Sequence, residues 1–560
     1  MPTPISSFVA SPAEEALLPL LARRLGQFLA SPASLLLAVL LAFFLNSGSL
    51  PLSDVDEGAF SEATREMLAR GNLVSPTLND LPRHDKPILI YWAQAASLTL
   101  LGQHEFAYRL PSLLASLLWL LALYRFCRRH GDRQTAVLAG LVMVLSLQVG
   151  IVAKAAIADA LLNLFIALAL FWIYDYFCAS RVGKTIAENR RLLLAIYAAL
   201  GLGFLTKGPV AVMFPLLISG LFFLSAGAWR PWLRALLYWP GWLLFLAIVL
   251  PWHVMVYLDQ GDAFFRGFYL QHNLNRYAST FEGHGGNLLY YVVVLPLVLL
   301  PFSGWLIAIA GRLLRRGRAD RGTAGASDLF ERFLLIWFVT VFLFFSFSRT
   351  QLPHYLLYGC TPLFIVLARH RLVDERRWLA FLPVVLWALL LAGLPWLLGF
   401  ALEQSQRPLE TMLLAGLAVA FDEFSRWCLP LFAVIVLGLA CWRRLPVWQG
   451  LVVSGLLQAV VLFALIAPRV LEVTQGPVRD AALLARQSAA PVVSWRLNQP
   501  SFSVYRQAVT PARLPLVGEL VLTRSDRLEE LQRELMPLQV QPIYQRGFIS
   551  LARIDPKESP

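Results

Sequence analysis

The run Ser53-Asp54-Val55-Asp56-Glu57-Gly58-Ala59-Phe60-Ser61-Glu62-Ala63-Thr64-Arg65-Glu66-Met67-Leu68 lies between the first apolar stretch of the chain, 34–47, and the next, 87–101. It sets acid groups against a membrane surface, where charge is costly unless it has a task. The spacing predicts one short amphipathic helix. Ala63 and Met67 share a face with Ala59 and Phe60, while Glu57, Ser61 and Glu62 point elsewhere. An acidic loop leading into a helix along the bilayer is what a lipid-handling active site needs. A solvated loop followed by a surface helix accounts for the same residues.

Working outward, the rest of the chain reads as membrane. It is 58% hydrophobic with 15% charged residues over 560 positions, too apolar for a soluble protein of that length. Apolar runs near the length that crosses ~30 Å of hydrocarbon recur as far as Pro468. The net charge of +13 is not a phosphate-binding face, because its cations alternate between loops. Basic clusters at 125–133, 181–191, 230–234, 312–332, 369–377 and 443–444, with Arg23 and Arg24, hold 24 of the 48 Lys and Arg. Such alternation is the positive-inside pattern, and it excludes nucleic acid as a partner.

That rule sets a topology. Arg23 and Arg24 are cytoplasmic, so the Asp56 segment faces outward within a first outer loop, 48–107. The stretch 87–101 is short and carries Gln94, Ser97 and Thr99, so an interfacial or re-entrant helix is expected there. Spans near 108–125, 134–152, 160–178, 192–206, 209–226, 236–257, 288–310, 333–348, 352–369 and 379–400 then alternate. Segment 409–421 reads as interfacial, and 427–441 and 446–468 bring the count to about thirteen. The remainder, 470–560, mixes alternating runs such as Val492-Val493-Ser494-Trp495 and Phe502-Ser503-Val504-Tyr505 with a charged helical stretch, 524–536. It is expected to form a small soluble α/β domain on the outer side. The five cysteines all fall in or beside spans, so no disulfide framework is expected. The first apolar run lacks a small-residue cleavage site and reads as an uncleaved anchor. Walker, Rossmann and zinc-finger patterns are absent from the sequence.

Six of the eight histidines fall on the outer side, beside a set of acids and cations. Lys207 stands out in Phe204-Leu205-Thr206-Lys207-Gly208-Pro209, where one span ends and another begins. A lysine in so tight a turn cannot snorkel far, which points to an anionic partner; a boundary lysine at the headgroup level is the plainer reading. Lys86 repeats the pattern in His84-Asp85-Lys86-Pro87, and Arg349 in Ser348-Arg349-Thr350-Gln351-Leu352-Pro353-His354-Tyr355. Cations from distant segments meeting at one membrane face suit a phosphate or diphosphate on a lipid. Carboxylates beside them suit a proton acceptor or a metal ligand. A transporter or flippase also carries charge at one face, but it is expected to show related halves, and no internal repeat is visible.

Asp56-Glu57 followed by Phe60, Glu62 and Arg65-Glu66-Met67-Leu68 resembles the start of the GT-C glycosyltransferases. The closest group is the aminoarabinose–lipid A transferases (ArnT), with their relatives the protein O-mannosyltransferases. The resemblance continues through Gly71-Asn72-Leu73-Val74-Ser75-Pro76, Asp85-Lys86-Pro87, Tyr91-Trp92, Arg109-Leu110-Pro111, Asp159 and Thr206-Lys207-Gly208. It runs on through Leu250-Pro251-Trp252, His272, Arg276-Tyr277, Leu352-Pro353, Tyr355 and Leu497-Asn498-Gln499-Pro500-Ser501, nearly the whole chain.

The resemblance implies a GT-C catalytic membrane domain over 1–469 and a periplasmic domain over 470–560. It implies an enzyme of the bacterial inner membrane whose active site is periplasmic. The enzyme would move aminoarabinose or a hexose-like sugar from undecaprenyl phosphate to lipid A, or to another glycan or protein acceptor. Asp56 matches the essential first-loop aspartate, with Glu57 its neighbour and Asp159 a further important acid. Lys86, Lys207 and Arg276, with Arg349, would hold the carrier phosphate, and Tyr355 would lie by the donor pocket. Asp85 and His272 match positions that bind a divalent metal, zinc or similar. The shorter acid at Asp85 and the Gln at 351 depart from the family pattern and point to a paralogue with another sugar or acceptor. For a hydroxyl acceptor Asp56 is the general base; for an ionised phosphate it orients the acceptor or a metal.

Overall fold

The computed structural model describes residues 23–275, 287–319, 326–372 and 376–556. The protein is a helical bundle capped by one mixed sheet. The elements that bear on function are α1 (Asp56–Arg70), β1 (Thr77–Leu78), β2 (Leu81–Pro82), α2 (Leu89–Leu101), α3 (Glu105–His130), α4 (Asp159–Arg181) and α5 (Arg190–Lys207). In the tail they are α6 (Gly476–Gln487), β3 (Val492–Ser494), α7 (Pro500–Arg506), β4 (Leu520–Arg524), α8 (Leu528–Glu534), β5 (Gln539–Arg546) and β6 (Ile549–Asp555).

Among the described residues seven helices are long and apolar enough to cross a membrane, and three bent helix pairs add to ten. About thirteen spans are expected from sequence. The three expected spans outside those ten are Arg190–Lys207, a continuous helix with three cations, Val210–Ser225, a continuous helix of 16 residues, and 352–369, while one of the ten is sharply bent. The expected span 288–310 bends by 116° between Tyr290–Val298 and Ser303–Gly311. The stretch 352–369 divides into a 3₁₀ turn, Pro353–Gly359, and a short helix, Thr361–Arg369. Proline in the first turn of each piece, Pro353 and Pro362, suits a helix start, where its missing N–H costs nothing. Helix Trp239–Gln260 shows the lipid-facing pattern, with Leu243, Leu246, Leu250, Val254 and Leu258 exposed along one face.

The 26-residue α3 has its ends written in sequence. His104 caps it by accepting from Ala107 N, Glu105 lies in the first turn, and Arg128, Arg129 and His130 lie in the last. These charges oppose the helix dipole at both termini. Helix α1 ends at Gly71, whose φ of 67° supplies the left-handed cap. It is not the surface helix its amphipathic pattern suggests. Every residue from Glu57 to Met67 is buried, because α2 covers one side and the tail helix α7 another. Several of its polar side chains are paired inside: Arg65 grips Glu62 at 2.6 and 2.7 Å, and Thr64 donates to Gln94 at 2.7 Å.

The tail sheet has the order β3-β4-β6-β5, with β3 parallel to β4 and the other pairs antiparallel. Period-two alternation gives it two apolar faces. Leu520 and Leu522 pack with Val478, Ala481 and Phe502 on the α6–α7 side, while Val521 packs with Trp495, Leu531 and Ile554 on the α8 side. The charged stretch 524–536 is helical over α8, as expected. Phe502-Ser503-Val504-Tyr505 is helix rather than strand: Pro500 fixes the first turn of α7, and Gln507 closes it with φ 59°.

Candidate active site

A cavity of about 810 Å³ lies where α1, the hairpin β1–β2, the start of α4, the end of α5 and the 353–359 turn meet the tail. It is lined by Asp56, Arg83, His84, Asp85, Lys86, Asp159, Lys207, His354, Tyr355 and Asn498, among others. Six of the residues singled out in the sequence, Asp56, Asp85, Lys86, Asp159, Lys207 and Tyr355, thus come together from five separate segments. A second cavity of about 550 Å³ adjoins it, and Val55, Asp56 and Ile157 line both. The second is amphipathic, with Lys154, Asn46 and Asp54 facing Ile151, Leu462, Phe463, Ile466 and Val470.

Asp56 begins α1 at the junction of the two cavities. It is exposed, and its carboxylate makes no hydrogen bond or ion pair with any other described residue. The next residue behaves oppositely. Glu57 is buried, receiving Arg109 Nε at 2.7 Å and Nη2 at 3.0 Å, with the backbone N–H groups of Ser53 at 2.8 Å and Ala156 at 3.1 Å. Arg109 spends its remaining donors on the carbonyls of Ser47, Leu50 and Pro51, at 2.7 to 2.9 Å. Glu57 therefore holds the loop that presents Asp56, a positioning role rather than the catalytic one expected for it.

Lys207 closes α5. Its Nζ donates to Asp159 Oδ1 at 2.7 Å and Tyr358 Oη at 2.8 Å, and stands 5.6 Å from the ring centres of Tyr355 and Tyr358. Tyr358 donates to the same Asp159 oxygen at 2.6 Å, and His354 Nε2 lies 3.8 Å from it. Asp159 thus aims a lysine; it does not face the cavity as an open base. Gly208 lets the chain leave this turn: its φ is 73°, and a Cβ there would stand 2.6 Å from the Phe268 ring. Lys86 Nζ lies 2.6 Å from Asp85 Oδ1, while Arg83 Nη2 reaches the other oxygen at 3.0 Å and its Nε reaches Tyr91 Oη at 3.1 Å. The acids Asp56, Asp85 and Asp159 match the cations Arg83, Lys86 and Lys207 one for one.

With both oxygens of Asp85 turned to cations, it does not fit the metal-ligand role the resemblance implies. A carboxylate already shared by two cations gains little from a third. Among the described residues no three His, Cys, Asp or Glu side chains converge on one point. Arg276 and the side chain of His272 lie outside the described residues. Arg349 is exposed and does not line the cavity.

Reasoning from sequence missed Arg83 and Tyr358, and it gave no individual role to His354 or Asn498, which it quoted only within longer runs. Tyr358 had a signal: it follows Tyr355 by three residues, and on a 3₁₀ turn such side chains eclipse. Asn498 enters because α7 is clamped to the first loop. Ser501 donates its N–H to Asp54 Oδ1 at 2.9 Å and its hydroxyl to Oδ2, Ser503 Oγ reaches Asn79 at 3.1 Å, and Tyr505 Oη bridges Leu52 N and Glu105. Burial beside Glu57 lifts the Asp54 carboxyl to about 7 against the pull of the Ser501 hydrogen bonds.

Residues 85–255 match the Dolichyl-phosphate-mannose-protein mannosyltransferase family. The chain is 30% identical over 485 residues to the undecaprenyl phosphate-alpha-4-amino-4-deoxy-L-arabinose arabinosyl transferase 2 of Pseudomonas fluorescens (strain Pf0-1), covering 83% of each chain. It is 29% identical over 407 residues to the corresponding transferase of Erwinia tasmaniensis, covering 69% of each. In fold it is similar to the crystal structure of ArnT from Cupriavidus metallidurans bound to undecaprenyl phosphate, with a TM-score of 0.72, 20% identity and coverage of 97% of this chain and 98% of that one. The apo state of that protein gives a TM-score of 0.73 at 19% identity, over 92% and 96%.

Proposed function

The chain belongs to the undecaprenyl phosphate-alpha-4-amino-4-deoxy-L-arabinose arabinosyl transferase family, and on that premise we propose how its site works. It is a multi-pass membrane glycosyltransferase. It moves a sugar, aminoarabinose or a close relative, from undecaprenyl phosphate to a lipid-anchored acceptor such as lipid A. The reaction takes place at the periplasmic face of the inner membrane. The observation that carries this reading is Asp56, which lines two cavities of different chemistry. The polar one offers Lys86 and Lys207 to the carrier phosphate, and Arg276 extends that set by resemblance. The amphipathic one pairs an apolar wall with Lys154, suited to an acceptor that is both acylated and phosphorylated.

The step is a single inverting displacement. An acceptor oxygen forms a bond to the anomeric carbon as that carbon's bond to the phosphate oxygen breaks, and the electron pair leaves with undecaprenyl phosphate. Lys86 and Lys207 stabilise the charge that grows on the phosphate, and a preorganised donor of this kind is worth about 3 kcal/mol. For a hydroxyl acceptor the proton passes to Asp56, a contribution on the order of 10²–10⁴-fold. For an ionised phosphate acceptor Asp56 holds and orients the acceptor. Asp159 keeps Lys207 pointed at the phosphate, and Glu57 fixes the loop behind Asp56.

Mass spectrometry of lipid A and envelope glycans tests this in cells carrying wild type, Asp56→Asn or no protein. A sugar increment present with wild type and missing in the other two supports the reading. An unchanged spectrum in all three, with carrier-linked sugar unaltered by deletion, overturns it.

A further inference from the structure

Away from the active site, a groove of about 500 Å³ runs between α3 and α4. Leu114, Leu118 and Leu121 form one wall, on a single face of α3, and are 50%, 53% and 40% exposed. Phe165 and Leu168 of α4 form the other wall, and the small side chains of Ala115 and Ala122 leave room between the two. The polar groups of the lining gather at one end, where Arg125, Arg129, Trp172 and Asp175 meet. Arg125 lies 16 residues beyond Arg109 on α3, about 24 Å at the rise of a helix, so this end belongs to the leaflet opposite the active site. Asp175 is already matched there, paired with Arg129 and meeting His130 Nε2 at 2.6 Å. One turn back on each helix the groups are open. Arg125 is exposed and makes no hydrogen bond or ion pair with a described residue, and the Trp172 indole N–H makes none either.

An apolar trough that ends in an unmatched guanidinium and an unmatched N–H has the chemistry of an acyl chain that ends in a phosphate. The polyprenyl carrier does not match it, since a phosphate held by Lys86 and Lys207 leaves only hydrocarbon to reach Arg125. A neighbouring helix would have to bring its own carboxylate to that depth. We infer that the groove between α3 and α4 binds one anionic phospholipid of the leaflet opposite the active site. Its phosphate rests on Arg125 and the Trp172 N–H, and one acyl chain lies along Leu121, Leu118 and Leu114. A lipid seated there ties together the two helices whose other ends carry Arg109 and Asp159.

The test uses the full chain, delipidated in detergent, with phosphatidylglycerol or phosphatidylcholine of the same acyl chains as probe. Native mass spectrometry reads the lipid retained. Wild type is expected to keep one phosphatidylglycerol about tenfold more tightly than phosphatidylcholine, the size of a hydrogen bond to a charged group. Arg125→Gln is expected to erase that preference. Leu118→Trp, which fills the groove, is expected to lower retention of both lipids. Arg128→Gln is the control: Arg128 is exposed on the same turn of α3 but does not line the groove, so its variant should bind as wild type does. Phosphatidylglycerol should also raise the thermal midpoint of wild type and Arg128→Gln, and leave that of Arg125→Gln in place. Equal affinity for the two lipids in wild type overturns the inference. So does an equal loss in Arg125→Gln and Arg128→Gln, which would reduce the effect to bulk charge. Displacement of the bound lipid by undecaprenyl phosphate, one for one, would give the groove to the carrier. A dimer that forms on delipidation and that Leu118→Trp breaks would give it to a second copy of the chain. Lipid retention and melting are read without sugar transfer, so failure here leaves the transferase reading standing, and the reverse holds.

Discussion

Ser501, in the tail of the chain, donates its backbone N–H to Asp54 Oδ1 at 2.9 Å, two residues before the open carboxylate of Asp56. The contact spans 447 positions of sequence. Together with Tyr505 on Leu52 and Ser503 on Asn79, it makes the tail part of the wall of the active site rather than an appendage.

The closeness of that contact predicts the effect of adding one methyl group. A Cβ on Gly58 would stand 2.7 Å from Ser501 N and closer still to Asp54. Gly58→Ala should push α7 off α1, lowering stability by about 1–3 kcal/mol. A fall in the thermal midpoint together with a slower transfer rate is expected. An unchanged midpoint would mean that the helices are not held in contact.

Asp54 adds a pH dependence. Its carboxyl is held at about 7 when folded, above the ordinary value of 3.8, chiefly because burial disfavours the charged form. The native state therefore binds the proton more tightly than the unfolded chain does. The stability tied to Asp54 is fully present below pH ~4 and is lost as pH rises through about 7. Hydrogen exchange in α7 should accelerate between pH 6 and pH 8, beyond the intrinsic rise, in wild type. In Asp54→Asn that excess should vanish; if it persists, another group controls the contact.

The buried pair of Lys207 and Asp159 calls for two substitutions. Lys207→Met alone strands the Asp159 charge and should cost about 3–5 kcal/mol of stability. Adding Asp159→Asn should recover most of that loss, because neither partner is then charged. Transfer should stay at least ~100-fold down in both, since the phosphate has lost a cation. Thermal melts and initial rates measured side by side separate the effects. Activity restored by the double variant would remove Lys207 from the donor site.

Glu57 and Asp56 are neighbours with opposite expected phenotypes. Glu57→Gln breaks the two-pronged contact with Arg109 and should destabilise the protein by about 3–5 kcal/mol, with kcat per folded molecule within a few fold of wild type. Asp56→Asn should leave the melting curve in place and remove the rate. A stable, inactive Glu57→Gln protein would return Glu57 to the chemistry.

Much of the bundle was legible because membrane chains carry two strong signals, apolar length and loop charge. Breaks inside apolar runs were not: Tyr290–Val298 and Ser303–Gly311 read as one apolar window, although Pro296 and Pro301 stand at the break. In the site, Asp56, Lys86, Asp159 and Lys207 stood out as charges at a membrane edge. Which of them faces open space was hidden, since that depends on partners such as Arg109, 52 residues from Glu57, and Tyr358, 199 residues from Asp159. The helical state of 500–506 was masked by an alternation that fits a strand, until Pro500 and the contact with α1 decided it.

The tie between Asp54 and Ser501 also imposes an order in time. Spans enter the membrane as they leave the ribosome, so the first loop is in place long before residue 501 has been made. During that interval Asp56 sits in an unclamped loop, and the nascent chain is inserted but silent. A transcript cut short anywhere before α7 would yield a membrane protein that occupies the bilayer and does no chemistry. Activity thereby reports that translation has run past the tail helix.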